Sequence, residues 1–592
     1  MNTGRLLSFI LLSSIGFFSC EKKNELTSGN VKNVVDDAVT RLYKTLTPAQ
    51  LDTISDNYLL GFFTKEEKEV LATKFWTFDA NVPVTVSLMR DQNQKSMPFW
   101  IEESGFKKTD LIVKNESYTY EVWQKNFDKG SIGLGINGFD KHRPVYFISV
   151  TPQNKDDKLQ ITQVTPSQYP LDTIDTGAFT YHDWDGLVLT EVPEELKGQI
   201  LFTTVRGRAR EAHLVNAFRK TLTPSSATPD QIMLTWSDDP KTSVDIQWRA
   251  NTSVETGKVK YWKKGTKDTL FADASKFKME DRLLQNDRYT NRFTAKLKNL
   301  SPGTIYSYAL ASENGKWLTP VEFETQSDVN KGFSFIWFGD THYSKIWGDM
   351  AKKSLQRHPE TAFFSIAGDL VSTGLNRDEW DGLWNYSSPV FNSKPLMPIP
   401  GNHDSQDGLG AWMYQEMFSL PENGPDNQPK EMTYSFKYQD ALFIMIDATL
   451  SVPGQKEWIE KQLKNSDAKW KFAMFHFPPY NFEEPYDDIR KEWCTLFDKY
   501  HVDMVMSGHM HYYLRTKPMR DGKEVKTPAE GTIYTMSISI PGKQEQWPKE
   551  DYAVVRYPDG PLYQHITMKD NTLTYKCYDP DGKVKDELVI RK

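Results

Sequence analysis

Apolar positions recur at helical spacing from Val31 to Tyr43, and from Pro48 to about Val205 short helical and strand-like runs alternate, Val145 to Val150 being the clearest strand. Residues 31–210 therefore read as one accessory domain with β content and no assignable function. From about Thr221 the rhythm shortens. Ile232 to Trp236, Ser243 to Trp248 and Gly257 to Trp262 are brief strand-like runs between turn-rich spacers, the pattern of an all-β sandwich over 221–328. From Phe333 the period changes again. Runs at Phe333 to Phe338, Thr361 to Ala367, Pro395 to Pro400, Ala441 to Ile446, Trp470 to Phe475 and Val502 to Ser507 alternate with helical stretches such as Gln455 to Leu463 and Asp488 to Tyr500. This predicts an α/β domain over 333–592, completed by strands at Leu562 to Met568, Thr572 to Tyr578 and Asp586 to Arg591.

The apolar run that precedes all of these has another meaning. Leu6 to Ser19 follows Arg5 and is too short for an ordinary membrane span, but it has the charged start and apolar middle of a secretory signal. Its ending, Phe17-Phe18-Ser19-Cys20, resembles a bacterial lipobox. Residues 1–20 are therefore expected to be a lipoprotein signal peptide with Cys20 lipidated, and 21–30 a polar tether. The protein would be exported and held to a membrane, on the periplasmic side or at the cell surface. The competing reading is a signal with an incidental cysteine. Cys494 and Cys577 read as packed thiols, with a disulfide between them as the other possibility.

Charge removes one class of function. The chain of 592 residues carries 72 basic and 79 acidic side chains, a net charge of -7, so it has no overall basic field and no nucleic-acid partner is expected. Arg206, Arg208 and Arg210 form a local basic cluster, readable as a phosphate pocket or, more simply, as a solvated linker face.

The chemistry lies in five short motifs at the ends of the later strands: Gly339-Asp340-Thr341-His342, Gly368-Asp369, Gly401-Asn402-His403-Asp404, Phe475-His476-Phe477-Pro478 and Gly508-His509-Met510-His511. Each alone is a common turn or strand end. Together they supply carboxylate and amide oxygens mixed with imidazoles and no thiolate, a donor set for Fe, Mn, Zn or similar divalent ions. A carboxylate shared between two such ions suits phosphoryl transfer.

At these residues the chain resembles the calcineurin-like metallophosphoesterase superfamily, and the preceding sandwich is similar to that of the purple acid phosphatase branch. The run Leu300 to Tyr308 resembles the fibronectin type III corner in which a Tyr hydroxyl bonds back to the backbone. The resemblance implies a multidomain chain: a metallophosphoesterase domain with a β-sandwich core flanked by helices, preceded by a fibronectin type III-like sandwich and the unassigned N-terminal domain. It further implies two divalent metal ions. Asp340, His342, Asp369 and His511 would hold one, and Asp369, Asn402, His476 and His509 the other, with Asp369 as the bridge. His403 would protonate the leaving oxygen, oriented by Asp404. The implied activity is hydrolysis of phosphate esters, monoesters above diesters. A phosphodiesterase on the same site, or a non-catalytic binding lipoprotein that keeps the fold, are the alternatives. The metal-binding Tyr of purple enzymes, three residues after the second-motif Asp, is replaced here by Ser372. Tyr343, Trp412 and Tyr480 are candidate substrate contacts beside the motifs, with core packing an equal expectation.

Overall fold

The computed structural model describes residues 30–592 apart from 168–170, 183–186, 313–314, 406–409, 484–485 and 543–550. Cys20, its signal and all of the tether before residue 30 lie outside the described residues. Among those described, no helix is long and apolar enough to cross a membrane.

The first helix, Val31–Thr45, buries Val31, Val34, Val35, Ala38, Val39 and Leu42, a stripe at three- and four-residue spacing. Asn30 caps it by accepting from the Asn33 N–H at 2.8 Å. The stripe joins a core built with a three-stranded and a nine-stranded sheet. Arg208 belongs to this core, which corrects the solvated-face reading. It is 1 % exposed, and its guanidinium lies 3.5 Å above the Phe75 ring and 4.3 Å above Trp76. A cation with two aromatic faces and the Phe75 carbonyl to bond has no need of solvent.

Next comes an antiparallel seven-stranded sandwich sheet. Its long strand Leu270–Glu280 pairs first with Gly257–Lys263 and then with Tyr289–Leu297, so it passes from one layer to the other. The Tyr306 hydroxyl accepts from the Ser301 N–H at 2.9 Å, closing the expected corner.

The last part of the chain stacks two mixed sheets. One runs in the order Phe363–Ile366, Phe333–Phe338, Tyr563–Lys569, Thr572–Tyr578, Val584–Arg591; the other has seven strands centred on Trp470–Met474 and Met504–Ser507. Between them Phe335 meets Phe363, Phe443 and Phe472 at ring distances of 5.1, 5.2 and 5.6 Å. Helices Lys345–Arg357 and Arg377–Ser387 and helix Val452–Lys464 flank the sheets. The architecture is thus the expected helix-flanked β-sandwich behind a β-rich N-terminal part. Two elements differ from expectation. Pro395 to Pro400 makes only isolated bridges: its Met397 and Ile399 N–H groups reach the Phe364 and Ile366 carbonyls at 2.9 and 3.1 Å, while Pro395, Pro398 and Pro400 have no N–H to give and the Leu396 N–H turns the other way, to the Leu234 carbonyl of the sandwich at 2.8 Å. Asp488 to Tyr500 is interrupted by a π turn at Arg490–Cys494. Cys494 and Cys577 are both buried and free.

The sandwich and the two stacked sheets share one hydrophobic core. Trp236 sits against Phe363, Phe436 and Tyr438 at 5.6, 6.2 and 5.5 Å. At the far end of strand Asp230–Thr235 from Trp236 runs a charge network: Arg249 pairs with Asp381 at 2.8 Å and with Asp230 at 2.6 Å, and Arg377 pairs with Asp287 at 2.7 Å. Helix Arg377–Ser387 is thereby fixed to the sandwich.

Candidate metal centre

Four strand ends and the extended run Pro395 to Pro400 converge where the two stacked sheets meet, and the backbone there is shaped for side chains to approach closely. Gly508 is obligatory in this sense, since a Cβ on it would stand 2.3 Å from Asp340 Oδ1. Asp369 and His509 hold left-handed backbone conformations, φ 52° and 72°, costs that persist only where the surroundings enforce them.

Each of the two central carboxylates has one oxygen tied down and one presented. Asp340 Oδ1 accepts from the His509 N–H at 2.6 Å, and Asp369 Oδ1 accepts from the His403 N–H at 2.9 Å. Their Oδ2 atoms face imidazoles. Asp340 Oδ2 is 3.2 Å from His511 Nε2 and 3.9 Å from His342 Nε2; Asp369 Oδ2 is 3.8 Å from His342 Nε2 and 3.2 Å from His476 Nε2. Asn402 Oδ1 lies 3.0 Å from His476 Nε2, and His509 Nδ1 3.3 Å from the same nitrogen. All seven residues read as ligands from the sequence are therefore brought together. Asp369 stands between His342 and His476, the position of a bridge.

The donor set fits cations. Bonds of about 2.1 Å place neighbouring tetrahedral ligand atoms about 3.4 Å apart, the middle of the observed spread. Asp340 Oδ2 and His342 Nε2 are buried with no hydrogen-bond partner among the described residues, which is costly in a site holding nothing. Burial lowers His342 to about 4 and His509 to about 3, so both present neutral nitrogens. Burial disfavours charge on Asp340 as well, but the His511 and His476 imidazoles hold it below the usual carboxylate range; for Asp369 the opposing groups are His476 and His403, and its shift is larger. At His476 burial opposes charge, yet the Asp369 carboxylate raises it to about 9. A proton there balances the carboxylates, a task a divalent ion performs equally well. Its Nδ1 is held 2.8 Å from the Ala367 carbonyl, which directs Nε2 into the cluster.

His403 lies with its ring 4.9 Å from that of His342, edge to face. Its Nδ1 donates to the Ser372 carbonyl at 2.7 Å. This corrects the role expected of Asp404. Both Asp404 oxygens are occupied by backbone donors, Oδ1 by Val371 N–H at 3.1 Å and Oδ2 by Leu370 and Gly401 N–H at 3.1 and 2.9 Å. Asp404 staples the loop after Asp369 to the loop before Asn402, and the carbonyl of Ser372 orients His403. Burial and then the Asp369 carboxylate push Asp404 up to about 8, against the three N–H groups. A cation on Asp369 cancels that carboxylate's share.

Two supporting residues escape sequence reading. Ser372 Oγ is 3.2 Å from His342 Nδ1, so the residue in the Tyr position steadies the first imidazole from outside. Glu379 Oε2 accepts from the Ser372 and Thr373 N–H groups at 2.9 and 2.8 Å. The spacing Asn376-x-x-Glu379 at a helix start was a visible capping signal, but not its target. Of the suggested substrate contacts, the half-buried Tyr343 places its ring 3.2 Å from where a Gly382 Cβ would be, and Tyr480 is buried against Tyr534 at 4.6 Å; both are packing residues. Trp412 is exposed on the first turn of helix Trp412–Met417.

Comparison with known proteins agrees with this layout. Residues 229–325 match the family described as the purple acid phosphatase N-terminal domain, and residues 333–513 match the calcineurin-like phosphoesterase family. An uncharacterized protein of Mycobacterium tuberculosis is 27% identical over 281 residues, 40% of this chain and 53% of its own length. Purple acid phosphatase 21 of Arabidopsis thaliana is 22% identical over 250 residues, 38% of this chain and 54% of its own. Acid phosphatase type 7 of Mus musculus is 25% identical over 340 residues, 49% and 72% of the two chains. The chain spans about half the length of the first two. The structure of purple acid phosphatase PPD1 from yellow lupin seeds superposes with a TM-score of 0.55 at 15% identity, over 88% of this chain and 94% of that one, which shows a shared fold.

Proposed function

We propose that this chain, which joins a purple acid phosphatase N-terminal domain to a calcineurin-like phosphoesterase domain, hydrolyses phosphate esters at the Asp340 to His511 centre, with monoesters preferred. The observation that carries the reading is the pair of carboxylates, each clamped by one backbone N–H and presenting its other oxygen to imidazoles. Asp340, His342, Asp369 and His511 would hold one cation, and Asp369, Asn402, His476 and His509 the second. Divalent cations there supply Lewis acidity toward the phosphoryl oxygens. The residues do the rest. His511 is the exposed ligand, its side chain 51% accessible against 12% or less for Asp340, His342, Asp369 and His476, so substrate enters from its side. His403, with Nδ1–H held by the Ser372 carbonyl, offers Nε2 to the substrate, where an imidazolium donates its proton to the departing oxygen.

Hydrolysis of an aryl phosphate compared with a bis-aryl phosphate, alongside metal analysis, tests the proposal. The expected result is two divalent ions per chain and a higher kcat/KM on the monoester. A diester preference would move the substrate class, and no turnover of either ester by fully loaded protein would overturn the reading in favour of a binding role. The chain is further read as an exported lipoprotein anchored through Cys20, on the strength of the Leu6 to Cys20 pattern. Cys20→Ala should then release the protein from the membrane fraction, and full retention of that variant would refute the anchor.

A further inference from the structure

The sandwich hairpin between strands Gly257–Lys263 and Leu270–Glu280 puts apolar side chains into water. Every residue from Lys263 to Phe271 is exposed, Leu270 by 52% and Phe271 by 58%, and Ile305 of the neighbouring strand Ile305–Leu310 is 38% exposed. The turn is hydrogen-bonded: the Thr266 N–H donates to the Lys263 carbonyl at 3.0 Å and the Lys264 N–H to the Ile305 carbonyl at 2.9 Å. Register sets Phe271 opposite Lys260 and Ser307 opposite Trp262. Lys260, Trp262, Phe271 and Ile305 therefore share the face turned away from the buried Val259, Tyr261, Tyr306 and Tyr308. Trp317 joins them, its ring 6.0 Å from that of Phe271 and 4.8 Å from the Lys260 ammonium. Single exposed apolar residues are ordinary, whereas a contiguous group at one end of a sheet marks a contact surface.

Charge decides what this surface meets. From Lys260 to Phe271 stand four lysines and one aspartate, in a chain whose net charge is -7. Lys264 meets Glu322 at 2.8 Å with both side chains largely in solvent, a pairing that contributes little; Lys263 and Lys267 have no acid in reach among the described residues. A basic turn around aliphatic and aromatic tips matches the boundary of an anionic bilayer. There indole and phenyl rings sit at headgroup level, and lysine stems lie along apolar surface with the ammonium outward. A glycan would use open ring faces, and the Trp317 face is taken by Lys260; the aliphatic Leu270 and Ile305 suit lipid better than sugar. The anchor read from Leu6 to Cys20 would keep such a bilayer within reach.

We propose that this hairpin is a membrane-docking tip for anionic phospholipid, which inserts Leu270 and Phe271 among the headgroups while Lys263, Lys264 and Lys267 meet the phosphates. Docked in this way, the tip fixes one orientation of the folded body on the bilayer, which a polar tether alone leaves free.

Cosedimentation with vesicles tests this, using the chain from residue 21 onward, so that the apolar leader and Cys20 contribute nothing while every described residue is kept. Vesicles of phosphatidylcholine alone are compared with vesicles in which one quarter of the lipid is phosphatidylglycerol. Wild type should pellet with the anionic vesicles and not with the neutral ones, and high salt should release it. Each lysine near such a surface strengthens binding roughly fivefold, so Lys263→Gln, Lys264→Gln and Lys267→Gln combined should weaken it at least tenfold. Leu270→Ser with Phe271→Ser should weaken it as well. Both sets change exposed side chains and should leave Tm and turnover at wild-type values. Absence of wild-type binding to anionic vesicles, or binding that neither set weakens, would overturn the proposal. Loss through the lysines alone, or equally strong capture by dextran sulfate, would refute insertion and leave a plain polyanion site.

Discussion

Replacing Asp404 separates two ways in which a buried carboxylate can serve a metal centre. Its oxygens receive the N–H groups of Leu370, Val371 and Gly401. In Asp404→Ala all three are left buried and unmatched, each at about 1–3 kcal/mol, so the loss is about 3 kcal/mol at the least. At roughly 2–4 °C per kcal/mol for a domain of this size, the melting transition should fall by about 6–12 °C. Asp404→Asn can keep one oxygen on Leu370 and Gly401 and turns its amide toward the Val371 N–H. One donor is then unmatched, a loss of about 1–3 kcal/mol and a shift of about 2–4 °C at the lower end. The order Ala well below Asn below wild type, measured by calorimetry at saturating metal, is the expected result. Metal affinity should fall with stability, since the stapled loops carry Asp369 and Asn402. If Asp404→Ala melted within about 1 °C of wild type while turnover fell a hundredfold or more, the staple would be wrong and a direct action on His403 would be reinstated.

Three further outcomes are expected. His403→Ala should lower kcat by about 10²- to 10⁴-fold with both metals retained, whereas His476→Ala should lose metal; elemental analysis beside kinetics separates them, and near-wild-type turnover of the first would reject its role. Asp381→Ala removes a buried partner of Arg249 and should cost about 3–5 kcal/mol, read as a shifted unfolding midpoint, while turnover per folded molecule stays unchanged. Purified active protein should show no intense visible phenolate-to-iron band, because Ser372 occupies the Tyr position and is engaged with His342; such a band with stoichiometric iron would contradict the coordination proposed here.

Much of the centre was legible because its ligands are local: each stands within four residues of a strand-like apolar run. What lay hidden depends on distant partners. Asp404 acts on backbone groups more than thirty residues away in the chain, and no spacing rule announces that. Arg208 looked like one of three surface arginines until Phe75 and Trp76, over a hundred residues earlier, folded beneath it. Pro395 to Pro400 is strand-like in its apolar residues, but Pro395, Pro398 and Pro400 have no N–H for a ladder and the Leu396 N–H goes to the sandwich, over a hundred and fifty residues earlier. The π turn at Arg490–Cys494 has no side-chain signature at all.

The aromatic seat of Trp236 sets a schedule for the ribosome. The sandwich strands are complete by Glu324, yet Phe436 and Tyr438, which cover the indole, are made more than a hundred residues later. At about 5–20 residues per second the nascent chain therefore carries an open aromatic face for roughly 5–25 s, long enough for holding factors or neighbouring nascent chains to find it. Truncations that stop shortly after the sandwich should be sticky rather than inert, and slower codons between Glu324 and Tyr438 should lower the soluble yield of the whole protein.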